Sequence, residues 1–294
     1  MSEYIEVFNN AKISDQSKKT YIGKMKTLLK QFDNEIPTID QIKNSDISIN
    51  NKYMFLNTIM SYRKHANLPR ENDMQEYYKE IKESLDRNNI STEKQKNNYI
   101  SYKDLINKIN ELTENNNYYK ALLLAMYIYI PPLRSNYGCV ILTDNDNKNL
   151  IEAKINHIYN NKIYLYNLKV KKIDDHIIDM PDNLIEILNK SLIELPRDYL
   201  FVNNKGECMN NSQFSIFANK ILKSIFNNKL TLTLLRHIYI NELDMNKLNS
   251  KQKKEIANKM NHSIAQQDNY RLLDIKEKQQ NIFDYLKSIF LFNQ

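Results

Sequence analysis

Between Ser14 and Phe32 the apolar positions Tyr21, Ile22, Met25, Leu28 and Leu29 recur at three-to-four spacing, and Lys18, Lys19, Lys24, Lys26 and Lys30 take the remaining faces. One apolar stripe at this period predicts an amphipathic helix with a basic outer surface. The same spacing over Tyr53 to Tyr62 and Asp73 to Leu85 predicts further helices, with no strand-like alternation between them. A small N-terminal unit of about four helices is therefore expected. Asp86 to Asn98 is polar and nearly devoid of apolar residues apart from Ile90, the composition of a linker, which puts the boundary between domains 1–92 and 93–294.

Past that boundary, Ser101 stands three residues before Asp104 and opens a run carrying Leu105, Ile106, Ile109 and Leu112, a helix with a side-chain cap at its start. Tyr118 to Ile130 is apolar nearly all round, so it predicts a buried helix, and Pro131-Pro132 must stop it. Cys139 to Leu142, Lys162 to Tyr166 and His176 to Met180 read as short strands, and the chain from Asn183 onward reads mainly as helices. The expected fold class is mainly α with a small β-sheet (α+β): a helical domain followed by a mixed, mainly helical one.

Composition narrows the function. The 294 residues, 41% of them hydrophobic, suffice for packed cores. The longest apolar stretch, Ala121 to Leu133, is shorter than the roughly 20 residues of a spanning helix. Met1 to Ala11 carries Glu3 and Glu6 without the basic-then-apolar order of a secretion signal. An intracellular protein outside the membrane is expected. Only Gly23, Gly138 and Gly206 are glycines, so neither a dinucleotide loop nor a phosphate loop can be written, and no nucleotide is expected.

Cys139 and Cys208 form no CxxC pair, which speaks against a zinc knuckle or a disulfide framework and predicts two buried apolar side chains. His65, His157 and His176 lack metal-ligand spacing, and Asp144-Asn-Asp146 lacks the glycine and late glutamate of a calcium loop, so no metal and no cofactor are expected. The net charge of +7 favours a polyanionic partner, because neutralising phosphates releases condensed counterions.

Four features follow one another in the second domain: Pro131-Pro-Leu-Arg134, Asn167-Leu-Lys169, Leu235-Arg236-His237, and His262 followed eight positions later by Tyr270. Together they resemble the tyrosine recombinase (phage integrase) family, whose catalytic set runs arginine, hairpin lysine, arginine, histidine and nucleophilic tyrosine. The segment opening Arg134-Ser-Asn-Tyr137 is similar to the first-arginine segment of integrases of some large DNA viruses. Leu232-Thr-Leu-Leu-Arg236 resembles the second-arginine helix, and Met260-Asn-His262-Ser the family's Leu-Gly-His-Ser turn. The resemblance covers about Glu93 to Arg271; in the N-terminal unit it extends only to size, helicity and charge. One position departs: Thr233 stands where the family usually has histidine. A hydroxyl can donate to phosphate but cannot exchange a proton near neutral pH as imidazole does.

The resemblance implies a helical core-binding domain and a catalytic domain that clamp double-stranded DNA, with four protomers acting on two sites. It implies a strand transferase using Arg134, Lys169, Arg236, His262 and Tyr270 through a 3′-phosphotyrosine. Those residue types suit the reaction. Two guanidinium forks meet the charge that gathers on the non-bridging oxygens, and surrounding cations help a phenol with an ordinary pKa near 10 to lose its proton. Lysine can protonate the departing 5′-oxygen. The bond energy stays in the phosphotyrosine, so the scheme requires neither ATP nor metal. His237 points elsewhere on the helix, is read as a packing or buttressing histidine, and stays outside the set. Tyr285 falls in an amphipathic final helix read as a packing element. The competing readings are a type IB topoisomerase, which shares the chemistry, and a non-catalytic DNA-binding protein on the same scaffold.

Overall fold

The computed structural model describes residues 2–86, 93–144, 147–166, 168, 176–227, 230–243, 245, 247–268 and 270. The chain divides into two compact units, Met1–Asn88 and Asn89–Gln294. The first contains α1 (Ser2–Asn10), α2 (Asp15–Gln31), α3 (Ile39–Asn44), α4 (Ile49–His65) and α5 (Asn72–Asp86). Ser14, Thr38 and Ser48 each accept a backbone N–H at a helix start, removing orphan donors. The apolar stripe of α2 closes over Phe8, Ile42, Phe55, Leu56 and Ile59, and this leaves Lys19, Lys26 and Lys30 exposed. The short α1 and α3 contain too few turns to show a period in the sequence.

The second unit begins with α6 (Glu93–Asn98), which has no buried residue. This corrects the reading of 86–98 as linker throughout: good helix formers make a helix there without an apolar stripe. It continues with α7 (Tyr102–Glu114), α8 (Tyr118–Ile128), β1 (Ile141–Leu142), α9 (Lys148–Glu152), β2 (His157–Tyr159), β3 (Lys162–Leu165), β4 (His176–Asp179), α10 (Asp182–Glu194), α11 (Asn211–Phe226), α12 (Leu232–Glu242), α13 (Ser250–Lys259) and α14 (Ile264–Asp268). Helix α8 is buried from Ala121 to Ile128 and is packed by α7, α10, α11 and α12. An element apolar on every face can only sit at such a centre. The chain is thus mainly α with a small sheet.

That sheet has the order β1-β2-β3-β4, with β1 parallel to β2 and the other pairs antiparallel. Tyr159 pairs with Lys162 across a two-residue turn in which Asn160 and Asn161 have φ of 46° and 60°. Asparagine tolerates this left-handed backbone, so a tight hairpin forms without glycine. In β4 burial alternates, with His176 and Ile178 inside and Ile177 and Asp179 outside.

Cys139 and Cys208 are joined in a disulfide, with Cα atoms 4.8 Å apart. Cys139 is exposed and Cys208 half-buried, which overturns the expectation of two buried, unlinked thiols. Backbone pairing brings them together. Met209 N–H donates to the Gly138 carbonyl at 2.8 Å, so the adjoining residues face each other across a separation of 69 positions. Gly138 permits this approach, since a β-carbon there would overlap the Met209 carbonyl oxygen and come within 2.7 Å of Phe214 Cβ.

Candidate active site

Arg134 enters the site from the loop that follows α8. Three buried or half-buried donors capture carbonyls of the helix end and of the loop after it: Tyr102 Oη donates to Ile128 O at 2.6 Å, Arg236 Nη1 to Pro132 O at 2.5 Å, and Tyr127 Oη to Arg134 O at 2.6 Å. The backbone of Arg134 is therefore fixed while its side chain remains exposed. Past it, the Gly138–Met209 pairing and the disulfide tie the loop to the start of α11.

Arg236 comes from α12, whose start is capped by the Thr231 hydroxyl accepting from Leu234 N–H at 3.2 Å. Its side chain is 1% exposed. Besides Pro132 O it reaches Met260 O at 3.5 Å, and the Tyr270 ring covers its face with the guanidinium carbon 4.8 Å from the ring centroid. Burial lowers its pKa first of all, and Tyr270 opposes that shift.

His262 sits on the turn that ends α13. Asn261 adopts φ 50°, and His262 N–H returns to Ala257 O at 3.0 Å. This is a helix stop through one left-handed residue, a place filled by glycine or asparagine. From β4, His176 Nε2 donates to Lys259 O at 3.0 Å and holds the same turn from the sheet side. The His262 ring is buried, and both its nitrogens, like Arg236 Nε, lack a hydrogen-bond partner among the described residues. Burial, then the charges of Arg236 and Arg134, push its pKa down to about 3, so the ring is neutral.

Tyr270 completes the group. Its ring centroid lies 5.5 Å from that of His262 and 5.0 Å from that of His237. Tyr270 N–H donates to Gln267 O at 3.0 Å, while its carbonyl accepts from His237 Nδ1 at 2.8 Å. The structure thus brings Arg134, Arg236, His262 and Tyr270 to one place. Beside them opens a cleft of about 400 Å³ lined by Arg134, Ser135, Asn136, Asn211, Met260, Asn261, His262, Ser263 and Gln266. Three buried nitrogens without a partner among the described residues, two on His262 and one on the Arg236 guanidinium, with Arg134 beside them, fit an anion with several acceptor oxygens.

No protein-family model matches the sequence, and no curated protein sequence does. Solved structures match it by shape. A fragment of the Tn1549 transposon integrase, in complex with circular-intermediate DNA, is 12% identical with a TM-score of 0.54, covering 97% of this chain and 98% of that one. A fragment of lambda integrase bound to DNA is 11% identical with a TM-score of 0.53, covering 95% of this chain and 97% of that one. The chain has the tyrosine-recombinase fold.

Within that recombinase fold, Lys169 lies outside the described residues, as do Tyr285 and the final segment. Its neighbour Leu168 packs against the core, between β3 and β4 in the sequence. Thr233 is exposed in the first turn of α12, one turn before Arg236. Two residues outside the expected set take part in the recombinase-fold site: His176 holds the α13 turn and His237 holds Tyr270. Their partners are backbone carbonyls 83 and 33 positions away. Only the adjacency of His237 to Arg236 hinted at either. Among the described residues no group of three or more His, Cys, Asp or Glu side chains could hold a metal ion, and no helix is long and apolar enough to cross a membrane.

Proposed function

We propose that this chain is a site-specific DNA recombinase that breaks and rejoins duplex DNA through a 3′-phosphotyrosine on Tyr270. The observation that carries this reading is the meeting, beside one cleft, of two guanidinium groups, a tyrosine, and a neutral histidine whose ring nitrogens lack a hydrogen-bond partner among the described residues. A phosphodiester in the cleft supplies oxygens to Arg134, Arg236 and His262, and its charge opposes the arginine charges that hold His262 neutral. The phenol of Tyr270 releases its proton to water, its oxygen attacks phosphorus, the bond to the 5′-oxygen breaks, and Lys169 gives that oxygen a proton. A 5′-hydroxyl then attacks the phosphotyrosine and restores the phenol. Neither step consumes a nucleotide or requires a metal.

Duplex DNA as the partner is supported by the two DNA-bound structures that share the fold. Exposed Lys19, Lys26 and Lys30 on α2, and Lys251 and Lys254 on α13, suit phosphate contacts. Helices α1–α5 are the core-binding domain in this reading, and a homo-tetramer on two DNA sites is part of it. A type IB topoisomerase would use the same side chains. Thr233, where the resemblance calls for histidine, favours a third reading in which the scaffold binds DNA without cutting it.

Covalent capture from a pool of nicked duplexes of randomised sequence tests the proposal. Recovered protein–DNA adducts, with the DNA linked to the Tyr270 peptide, are expected. Two molecules carrying the recovered sequence should then be joined to each other. Relaxation of supercoiled plasmid without such joining would establish the topoisomerase reading. Tight binding with no adduct would establish the non-catalytic one.

A further inference from the structure

Resting on the reading of Tyr270 as nucleophile, we propose that His237 is its positioning residue, through a hydrogen bond from the imidazole to the tyrosine's own backbone carbonyl. Nδ1 lies 2.8 Å from Tyr270 O. A carbonyl can only accept, so Nδ1 carries a proton in this contact. Burial lowers the ring's pKa first of all, the hydrogen bond to Tyr270 opposes that shift, and the Arg236 charge adds to it. The ring also meets the Tyr270 ring edge-on, with centroids 5.0 Å apart and planes at 67°.

Position in the chain explains why this contact matters. Arg236 and His237 are successive residues of α12, so one helix presents a phosphate ligand on one side and the tyrosine's anchor on the next. A rigid helix thereby fixes the distance between the group that holds phosphate and the group that attacks it. The segment from Lys259 to Tyr270, which carries His262 as well, is held at both ends by buried imidazoles: His176 on Lys259 O and His237 on Tyr270 O. Between them Tyr270 N–H is committed to Gln267 O. Both backbone polar groups of the nucleophile are therefore committed.

The test compares His237→Ala with His237→Asn, whose amide nitrogen can occupy the place of Nδ1. Three quantities are read in the full chain: the rate of covalent adduct formation on nicked duplex, DNA affinity, and hydrogen exchange of the Gln267–Tyr270 peptide. His237→Ala should slow adduct formation about 100-fold, the scale of a small misplacement of a reacting group. Its DNA affinity should stay unchanged and its peptide should exchange faster. His237→Asn should recover most of the rate and the protection. Equal slowing in both variants would overturn the positioning role, as would an unslowed His237→Ala. If His237→Ala fails to fold, His237→Asn against His237→Phe decides the same point. Absence of an adduct from the parent chain would instead remove the nucleophile reading itself, and a protected peptide lost only in His237→Ala would still show the hydrogen bond.

Discussion

Arg236 and Arg134 bring the same guanidinium group to one site from contrasting surroundings. Arg236 leaves a helix buried on nearly every side, is 1% exposed, spends a donor on Pro132 O and lies under the Tyr270 ring. Arg134 stands exposed on a loop whose backbone is held by Tyr127 and tied to α11 by Gly138 and the disulfide. The difference separates two ways of preorganising a cation. On the helix, packing fixes the side chain itself and desolvation charges a cost for it. On the loop, the backbone alone is fixed, and the side chain keeps its water until a ligand arrives. A site with one of each has a rigid member to set geometry and, in the proposed reading, a solvated member to meet incoming phosphate.

Opening the loop's tether is expected to have the largest effect on stability. Replacing Cys139 and Cys208 by serine frees a 69-residue separation and should lower unfolding free energy by roughly 4 kcal/mol in the chain-entropy picture, read by urea denaturation of oxidised parent and variant. Arg236→Ala comes next. A cavity and an unpaired Pro132 carbonyl should cost about 3 kcal/mol, and strand cleavage should fall about 1000-fold. Arg134→Ala sharpens the contrast, with a comparable loss of cleavage but a stability change within about 0.5 kcal/mol. If both arginine variants lost equal stability, the division of labour would be gone.

At neutral pH the smallest effect is that of His262, and it grows as the medium is acidified. His262, pushed down to about 3, stays neutral in the folded chain where a histidine in the unfolded chain protonates near pH 6.5. From pH 6.5 down towards about 3 the unfolded state binds the extra proton, so His262 makes stability fall as the medium is acidified. His262→Asn should remove that component, and its stability relative to the parent should rise steadily over this window, followed by denaturant midpoints at stepped pH.

Much of this was legible in the residues. The all-round apolar run at Tyr118 to Ile130 marked the central helix, and Pro131-Pro132 marked where the first arginine's loop begins. The order Arg134, Arg236, His262, Tyr270 was read through the resemblance to the tyrosine recombinase family, since none of the four segments decides it alone. What escaped reading depends on partners far along the chain. Strand β2 has three residues, too few for alternation to show, although Asn160-Asn161 beside it carries a turn signal. The Cys139–Cys208 bond needs the pairing of Gly138 with Met209. His176 and His237 find their roles only once Lys259 and Tyr270 are beside them, and no periodicity within their own elements encodes those carbonyls.

The most direct measurement is covalent trapping on duplex DNA whose scissile phosphate has a bridging 5′-sulfur, a leaving group that needs no proton from Lys169. Parent chain and Tyr270→Phe are incubated with it, denatured, and assayed for protein-linked DNA. The account predicts an adduct from the parent and none from Tyr270→Phe, with equal DNA affinity in both. An adduct formed equally by Tyr270→Phe, or a parent that binds the DNA tightly and never becomes linked to it, would contradict the account.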